Sequence, residues 1–450
     1  MSIALGSASW HGAVVIRRAR RRGLAAGLVV LMVSAGAFAE QKYWPRFRGP
    51  NGAGLSDATS VPVRWTEKDY NWTVRVPGLG HSSPVVWGRR IFLTSSHPRT
   101  AKRMVLCLDA ADGRTLWQRE YASRRFSQHR DNSYAAATPA ADAHGVVVTW
   151  TTPKEVLLLA LDVEGKEVWR RELGPFVAIH GSGASPVIVG DVVVLANDQA
   201  DPKALPSVYG GANAKKAAGK SFLIGVDRKT GRTRWQVPRR SAVAPYSTPC
   251  LYRPDGGPAE LIFSSMAHGI TAVDPASGRI NWEMGKVFRD RSVASPVVAP
   301  GLVIAGEGYG VHGTRIVAVR PGSRKAGRKP AVAYEIKRPV SLVPTPLVKG
   351  GRLFLWGDHG VVSCRDVATG RQVWRQRVKG SFYGSPVCVG ERLYCIDKKG
   401  DVVVLAASDK FELLARVPLG EASFTTPAVS GGVMYLRTRS RLFSLGGKKP

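Results

Sequence analysis

The stretch Ala272-Val-Asp274-Pro-Ala-Ser-Gly278-Arg-Ile-Asn-Trp282 has a spacing that repeats through the chain. The same cadence of Asp, then Gly, then Trp four residues after the Gly occurs at Asp109-Gly113-Trp117 and Asp162-Gly165-Trp169. It returns at Asp227-Gly231-Trp235 and Asp366-Gly370-Trp374. With 12 Trp and 49 Gly in 450 residues, chance placement gives about one such Gly–Trp pair, so a repeat is being read. Two residues before each Asp stands a small residue: Cys107, Ala160, Gly225, Ala272 or Cys364. That slot is expected to face a crowded strand or a large ring, which makes Cys107 and Cys364 packing residues. Each Asp is expected to close its turn through side-chain-to-backbone bonds.

Working outward, a second marker recurs: Ser or Thr, then Pro, then a β-branched or apolar run. It stands at Pro84, Pro139, Pro186, Pro249, Pro296, Pro346, Pro386 and Pro427, in steps of 40 to 63 residues. Each marker opens a strand such as Pro186-Val-Ile-Val, passes a Gly/Asp turn and enters a second strand such as Val192-Val-Val-Leu195. A third strand ends at the Asp and a fourth carries the Trp. Four strands per unit describe a propeller blade, and eight markers predict an all-β, eight-bladed β-propeller of four-stranded antiparallel blades. The last unit ends without a fourth strand, while Trp72 sits in an orphan strand near the start. The reading therefore has the N-terminal strand, residues 71–76, closing the last blade beside residues 441–445. Closure removes open sheet edges. Seven blades with an irregular pair is the alternative. In the fifth unit Tyr334 replaces Trp. Two insertions, residues 199–220 and the basic run Arg320 to Pro330, are expected to be exposed loops.

The frame around this body is compositional. Lys+Arg 65 against Asp+Glu 33 gives +32, which favours anionic partners. Arg17 to Arg22 precede an uncharged apolar run from Gly23 to Gly36 and a small-x-small site at Ala37-Phe-Ala39. This reads as an export signal over residues 1–39, too short an apolar run for the ~20 residues of a membrane span. The remaining expectations are an N-terminal extension at 40–70 packing on the propeller (71–445), and a basic tail at 446–450. The mature chain, at +27 after losing five Arg, is expected to be periplasmic or extracellular, soluble and monomeric. No Cys precedes Cys107, so no lipid-bearing cysteine is expected. Five cysteines make no disulfide framework. Cys388 and Cys395 flank a hairpin turn and read either as a cross-strand bond or, preferably, as two small core residues. Nucleic acid is not expected, because the aromatics follow the blade period instead of interleaving with Lys and Arg on one surface.

The repeat resembles the tryptophan-docking motif of pyrroloquinoline-quinone-type (PQQ-like) β-propellers, over roughly residues 43–445. That family includes quinoprotein alcohol dehydrogenases and BamB-like outer-membrane-protein assembly factors. Trp44-Pro-Arg46-Phe47-Arg48-Gly-Pro-Asn51-Gly52, Gly80-His81-Ser-Ser-Pro84 and His180-Gly-Ser-Gly-Ala-Ser185-Pro186 look like a branch of exported members. The resemblance implies that Trp72, Trp117, Trp169, Trp235, Trp282 and Trp374 dock each blade on the next. A dehydrogenase of this family needs PQQ, calcium, a carboxylate base and an adjacent Cys pair. No adjacent cysteines occur here, and Asp198, Glu307 and Asp358 have no calcium-loop spacing. The expectation is thus a non-catalytic binding or assembly scaffold with a protein partner in the envelope, or an anionic surface. Its alternatives are a PQQ- and calcium-dependent quinoprotein dehydrogenase and a small-molecule or glycan binder. No catalytic residue, metal ligand or resident cofactor is assigned. First strands line a propeller's channel, so residues just ahead of the markers should rim one mouth: His81, Asn132, Tyr134, His180, Tyr246, Arg291 and Tyr383, with Asp198 and Arg240 on nearby loops.

Overall fold

The structure, a computed structural model, describes residues 43–178, 180–201, 220–254, 256–309, 313–337 and 340–447. The expected export signal, nearly all of the 199–220 insertion and residues 448–450 of the tail lie outside the described residues. Beyond Ala39 the chain forms one compact unit. It is an eight-bladed β-propeller, all-β, and the described residues contain only two short 3-10 turns besides strand and loop.

Each blade is built on four antiparallel strands, which in seven of the eight run outward in chain order. Blade two shows the pattern: Ala140–Asp142, Gly145–Thr152, Glu155–Leu161 and Glu167–Glu172. Its third strand is a nearly continuous apolar run, as a strand covered on both faces must be. Successive side chains point to opposite faces. Leu157, Leu159 and Leu161 therefore pack with blade one, and Val156, Leu158 and Ala160 with blade three. The core is accordingly a series of apolar layers between blades. Blade eight combines Ala428–Ser430, Val433–Arg437 and Arg441–Gly446 with the early strand Tyr70–Arg75, in a register that opposes Thr73 to Phe443 and Arg75 to Arg441. An early strand and the last three strands thus share one sheet.

The repeat cadence has a direct structural meaning. In every blade that carries it, the small residue lies directly opposite the Trp: Cys107 to Trp117, Ala160 to Trp169, Gly225 to Trp235, Ala272 to Trp282, Cys364 to Trp374. A Cβ on Gly225 would fall 2.2 Å from the Trp235 ring. Five of the blade-docking rings also meet the turn glycine of the following blade. Gly113 lies against Trp72, Gly165 against Trp117, Gly231 against Trp169, Gly278 against Trp235, and Gly370 against Tyr334. The indole N–H then donates to the carbonyl just after that blade's Asp, as from Trp117 to Val163 (2.8 Å) and from Trp235 to Pro275 (2.9 Å). The Tyr334 hydroxyl makes the equivalent bond to Val367 at 2.7 Å. Trp282 departs from the rule and donates to Glu260 at 2.9 Å, the next blade carrying Arg320-Pro321 at that turn, whereas Trp374 keeps the bond to the Ser408 carbonyl (2.9 Å) of a blade that also lacks the Asp. The recurrent carboxylates cap their own turns, Asp227 accepting from Lys229 and Thr230 and Asp274 from Ala276 and Ser277.

The five cysteines are unbonded and buried. Cys388 opposes Leu393 and Cys395 opposes Val403, and both sit in one apolar cluster with Trp356 and Phe382. In the basic insertion, Arg324 to Lys329 are exposed.

Candidate functional site: the axial channel

The inner strand of every blade is short and begins after a Pro, and the edge it turns toward the axis has N–H and carbonyl groups that no strand of its own blade takes. The Ser or Thr ahead of each Pro solves half of this problem. Seven of the eight blade junctions carry a bond from the backbone N–H of one marker residue to the hydroxyl of the next. Ser83 donates to Thr138 (3.0 Å), Thr138 to Ser185 (2.9 Å), Thr248 to Ser295 (2.9 Å) and Ser295 to Thr345 (3.1 Å). Thr345 continues to Ser385 and Ser385 to Thr426 (both 2.9 Å), and Thr426 returns to Ser83 at 3.0 Å, closing the circle across the chain ends. The marker read from sequence only as a strand start is thus also a belt around the axis.

The N-terminal segment supplies the other half. Tyr43–Trp44 pairs with Val85–Trp87 as a fifth strand of blade one, and Leu55–Ser56 runs parallel to Val387–Val389 of blade seven. Between them the chain crosses the channel as a plug. Pro45 accepts from the Ala141 N–H at 2.7 Å, and Asn51 exchanges bonds with Leu251 at 2.8 and 2.6 Å. Arg46 donates to the Pro249 carbonyl, and Arg48 to Pro346 (3.0 Å) and Pro386 (3.1 Å), so the marker prolines' carbonyls find partners. Both guanidinium groups are buried among neutral acceptors, and burial lowers Arg46 to about 10 and Arg48 to about 9. Gly49, at φ +69, is required here: a Cβ would lie 2.6 Å from the Trp44 ring.

Above the plug, a cavity of about 150 Å³ is lined by Phe47, the eight marker hydroxyl residues, and His81, Asp131, Tyr246, Tyr383 and Phe424. Three of the nine residues expected at the rim, His81, Tyr246 and Tyr383, therefore meet around one space. His81 stacks on Phe424 with centroids 4.3 Å apart, and Phe424 meets Tyr383 edge-on. At the mouth Lys398 pairs with Asp131 at 3.1 Å, lies over the Tyr383 ring, and shares Asp131 with the Tyr383 hydroxyl at 3.3 Å. Lys398 belongs to blade seven and Asp131 precedes blade two, so this contact straps the mouth. Asn132 bonds the carbonyls of His180 (2.6 Å) and Ser182 (3.3 Å), a structural brace between loops. His180 stands edge-on to His129, and burial with the nearby Arg291 lowers it to about 4. Tyr134 bonds Phe126 and lines a separate small cavity. Asp198 is buried in an ion pair with Arg239, and Arg240 is held against Ala267 and His268. Phe47, Phe424 and Lys398 were missed. They lie in loops with no period, though the first stands inside the quoted Trp44 to Gly52 motif.

Burial, then Arg437 and Arg439, push the His81 imidazole down to about 3. Its unfolded value is near 6.5. The unfolded chain thus binds the extra proton first, and stability falls as pH drops from about 6.5 toward 3. About 2 kcal/mol is expected to be lost by pH 5. Urea unfolding at pH 7 and 5 should show a loss about 2 kcal/mol larger in the native chain than in His81→Phe, which keeps the stack on Phe424 and the separate contribution of His180. An equal loss in both proteins would refute the assignment.

The calcium raised by the resemblance would need several carboxylate or carbonyl oxygens converging on one point. Among the described residues no three His, Cys, Asp or Glu side chains converge. Asp131 is held by Lys398, Glu307 by Arg315, and Asp358 caps the Leu342 and Val343 N–H groups. No helix among the described residues is long and apolar enough to cross a membrane.

Fold and site together define a closed propeller of eight blades whose channel is belted by hydroxyls and plugged by its own N-terminal segment. The chain belongs to the family described as outer membrane protein assembly factor BamB, which matches residues 63–200, 101–332 and 334–448. It is 22% identical to BamB of Yersinia pestis over 289 residues, 62% of this chain and 66% of that protein. It is also 22% identical to BamB of Moranella endobia over 285 residues, 61% of this chain and 66% of that one. The matches thus span just under two thirds of these relatives' length. The crystal structure of BamB from Moraxella catarrhalis shares the fold, with a TM-score of 0.57 at 16% identity, covering 87% of this chain and 98% of that one.

Proposed function

We propose that the chain is a non-catalytic scaffold for protein assembly in the cell envelope, acting through its loops and blade rims. Family membership supports the reading, since its relatives are outer membrane protein assembly factors. The observation that carries it is the use made of the polar groups at the axis. The marker hydroxyls bind the next blade, the cadence carboxylates cap turns, and Asp131 straps the mouth to Lys398. The hydroxyl–carboxylate pair among the described residues of the cavity, Tyr383 with Asp131, is taken up by Lys398.

The test is deletion in the cell that makes the protein, with quantification of folded outer-membrane β-barrels. A drop of severalfold, restored by the native chain and not by a variant with Arg240→Ala and Tyr246→Ala that still folds, is expected. Unchanged β-barrel levels, or dye-linked alcohol oxidation by the purified chain supplied with PQQ and calcium, would defeat the proposal.

A further inference from the structure

We propose that the axial cavity is an anion site, holding one small oxyanion of phosphate or sulfate chemistry on the hydroxyl belt above the two plug arginines. This is independent of the scaffold reading. The first observation is the direction of the belt's bonds. At seven junctions a hydroxyl oxygen accepts from the neighbouring N–H, yet none of the eight hydroxyls donates to an acceptor among the described residues. Eight O–H donors therefore line one cavity without acceptors. Water can fill such a wall, and a ligand rich in acceptors complements it best.

The second observation is charge. Among the described residues Arg46 and Arg48 are buried with no carboxylate partner, and the Nε of each has no hydrogen-bond partner. Their carbonyl acceptors, Pro249, Pro346 and Pro386, each directly follow a belt residue. Two desolvated cations thus lie one residue beyond the donor ring, and a buried charge without a counter-charge is costly. The one acidic residue lining the cavity, Asp131, is neutralised by Lys398 at the mouth. At about 150 Å³ the space holds a tetrahedral oxyanion with a few waters. The anion accepts from the belt and offsets the plug, the arrangement in which charge-assisted bonds are strongest. A cation or an apolar ligand would satisfy neither group.

Equilibrium dialysis of the full chain with radiolabelled inorganic phosphate tests this, at ionic strength fixed with sodium chloride so that surface screening stays constant. One phosphate per chain, competed by sulfate, is expected, with thermal unfolding shifted upward as phosphate rises. Ala136→Phe fills the cavity wall without removing a hydrogen bond and should abolish the stoichiometric site while circular dichroism stays unchanged. Arg46→Met should weaken affinity at least tenfold. No saturable phosphate binding by the native chain overturns the proposal. So does binding that survives in Ala136→Phe, which would place the ion on the basic exterior.

Discussion

Gly231→Ala is expected to lower stability by roughly 3 kcal/mol in the native chain and by only about 1 kcal/mol in a Trp169→Ala background. Gly231 has φ +68, and its missing Cβ would lie 2.7 Å from the Trp169 ring of the preceding blade. Two penalties add in the single mutant. The left-handed backbone disfavours any Cβ, and the ring must be driven off its seat. Trp169 is only 7% exposed and donates to the Arg228 carbonyl at 2.9 Å, so Trp169→Ala alone should cost about 4 kcal/mol. Once the ring is gone the steric part of the glycine penalty vanishes and only the backbone part remains. Denaturant unfolding of the four proteins gives the coupling, expected near 2 kcal/mol and favourable. Strict additivity would mean that the ring and the turn of the next blade are not in contact, and the inter-blade account of the repeat would fail.

The same pair explains how much of the molecule was legible in its sequence. A blade must bury both faces, place a small residue under an indole and turn through a glycine, so each constraint prints a residue at a fixed interval. Eight repetitions make even weak local signals decisive. The closing strand could be read because Trp72 sat in a strand ahead of the first marker with no blade of its own, while the last unit lacked a fourth strand. Long-range side-chain contacts leave no interval. Asp131 and Lys398 meet across the mouth, although nothing in their local sequence marks them. Of the expected rim, His81, Tyr246 and Tyr383 share the cavity. Asp198, Arg240 and Tyr134 lie on loops of similar sequence position whose side chains are taken up by Arg239, by Ala267 and by Phe126. Position ahead of a marker determines the end of the propeller on which a residue lies, while local hydrogen bonding determines where its side chain goes.

The plug shows the limit from the other side, and it sets the second large expectation. Its motif, Trp44 to Gly52, has no repeat, yet it reaches both the marker prolines and the blade edges. Arg48 is fully buried and joins Gly52 within the plug (3.2 Å) to Pro346 of blade six and Pro386 of blade seven. Arg48→Met keeps much of the stem's volume but leaves three carbonyls without this donor. Each buried unsatisfied acceptor costs about 1–3 kcal/mol, against which removal of a desolvated cation returns part. A net loss of roughly 3 kcal/mol in urea unfolding is expected. Arg48→Lys should lose nearly as much. An ammonium is a point donor, unable to fork across two blades as the planar guanidinium does. If lysine restored native stability, charge alone would be holding the plug. A loss in both variants would instead establish that the directional fork of Arg48 ties blades six and seven to the N-terminal plug.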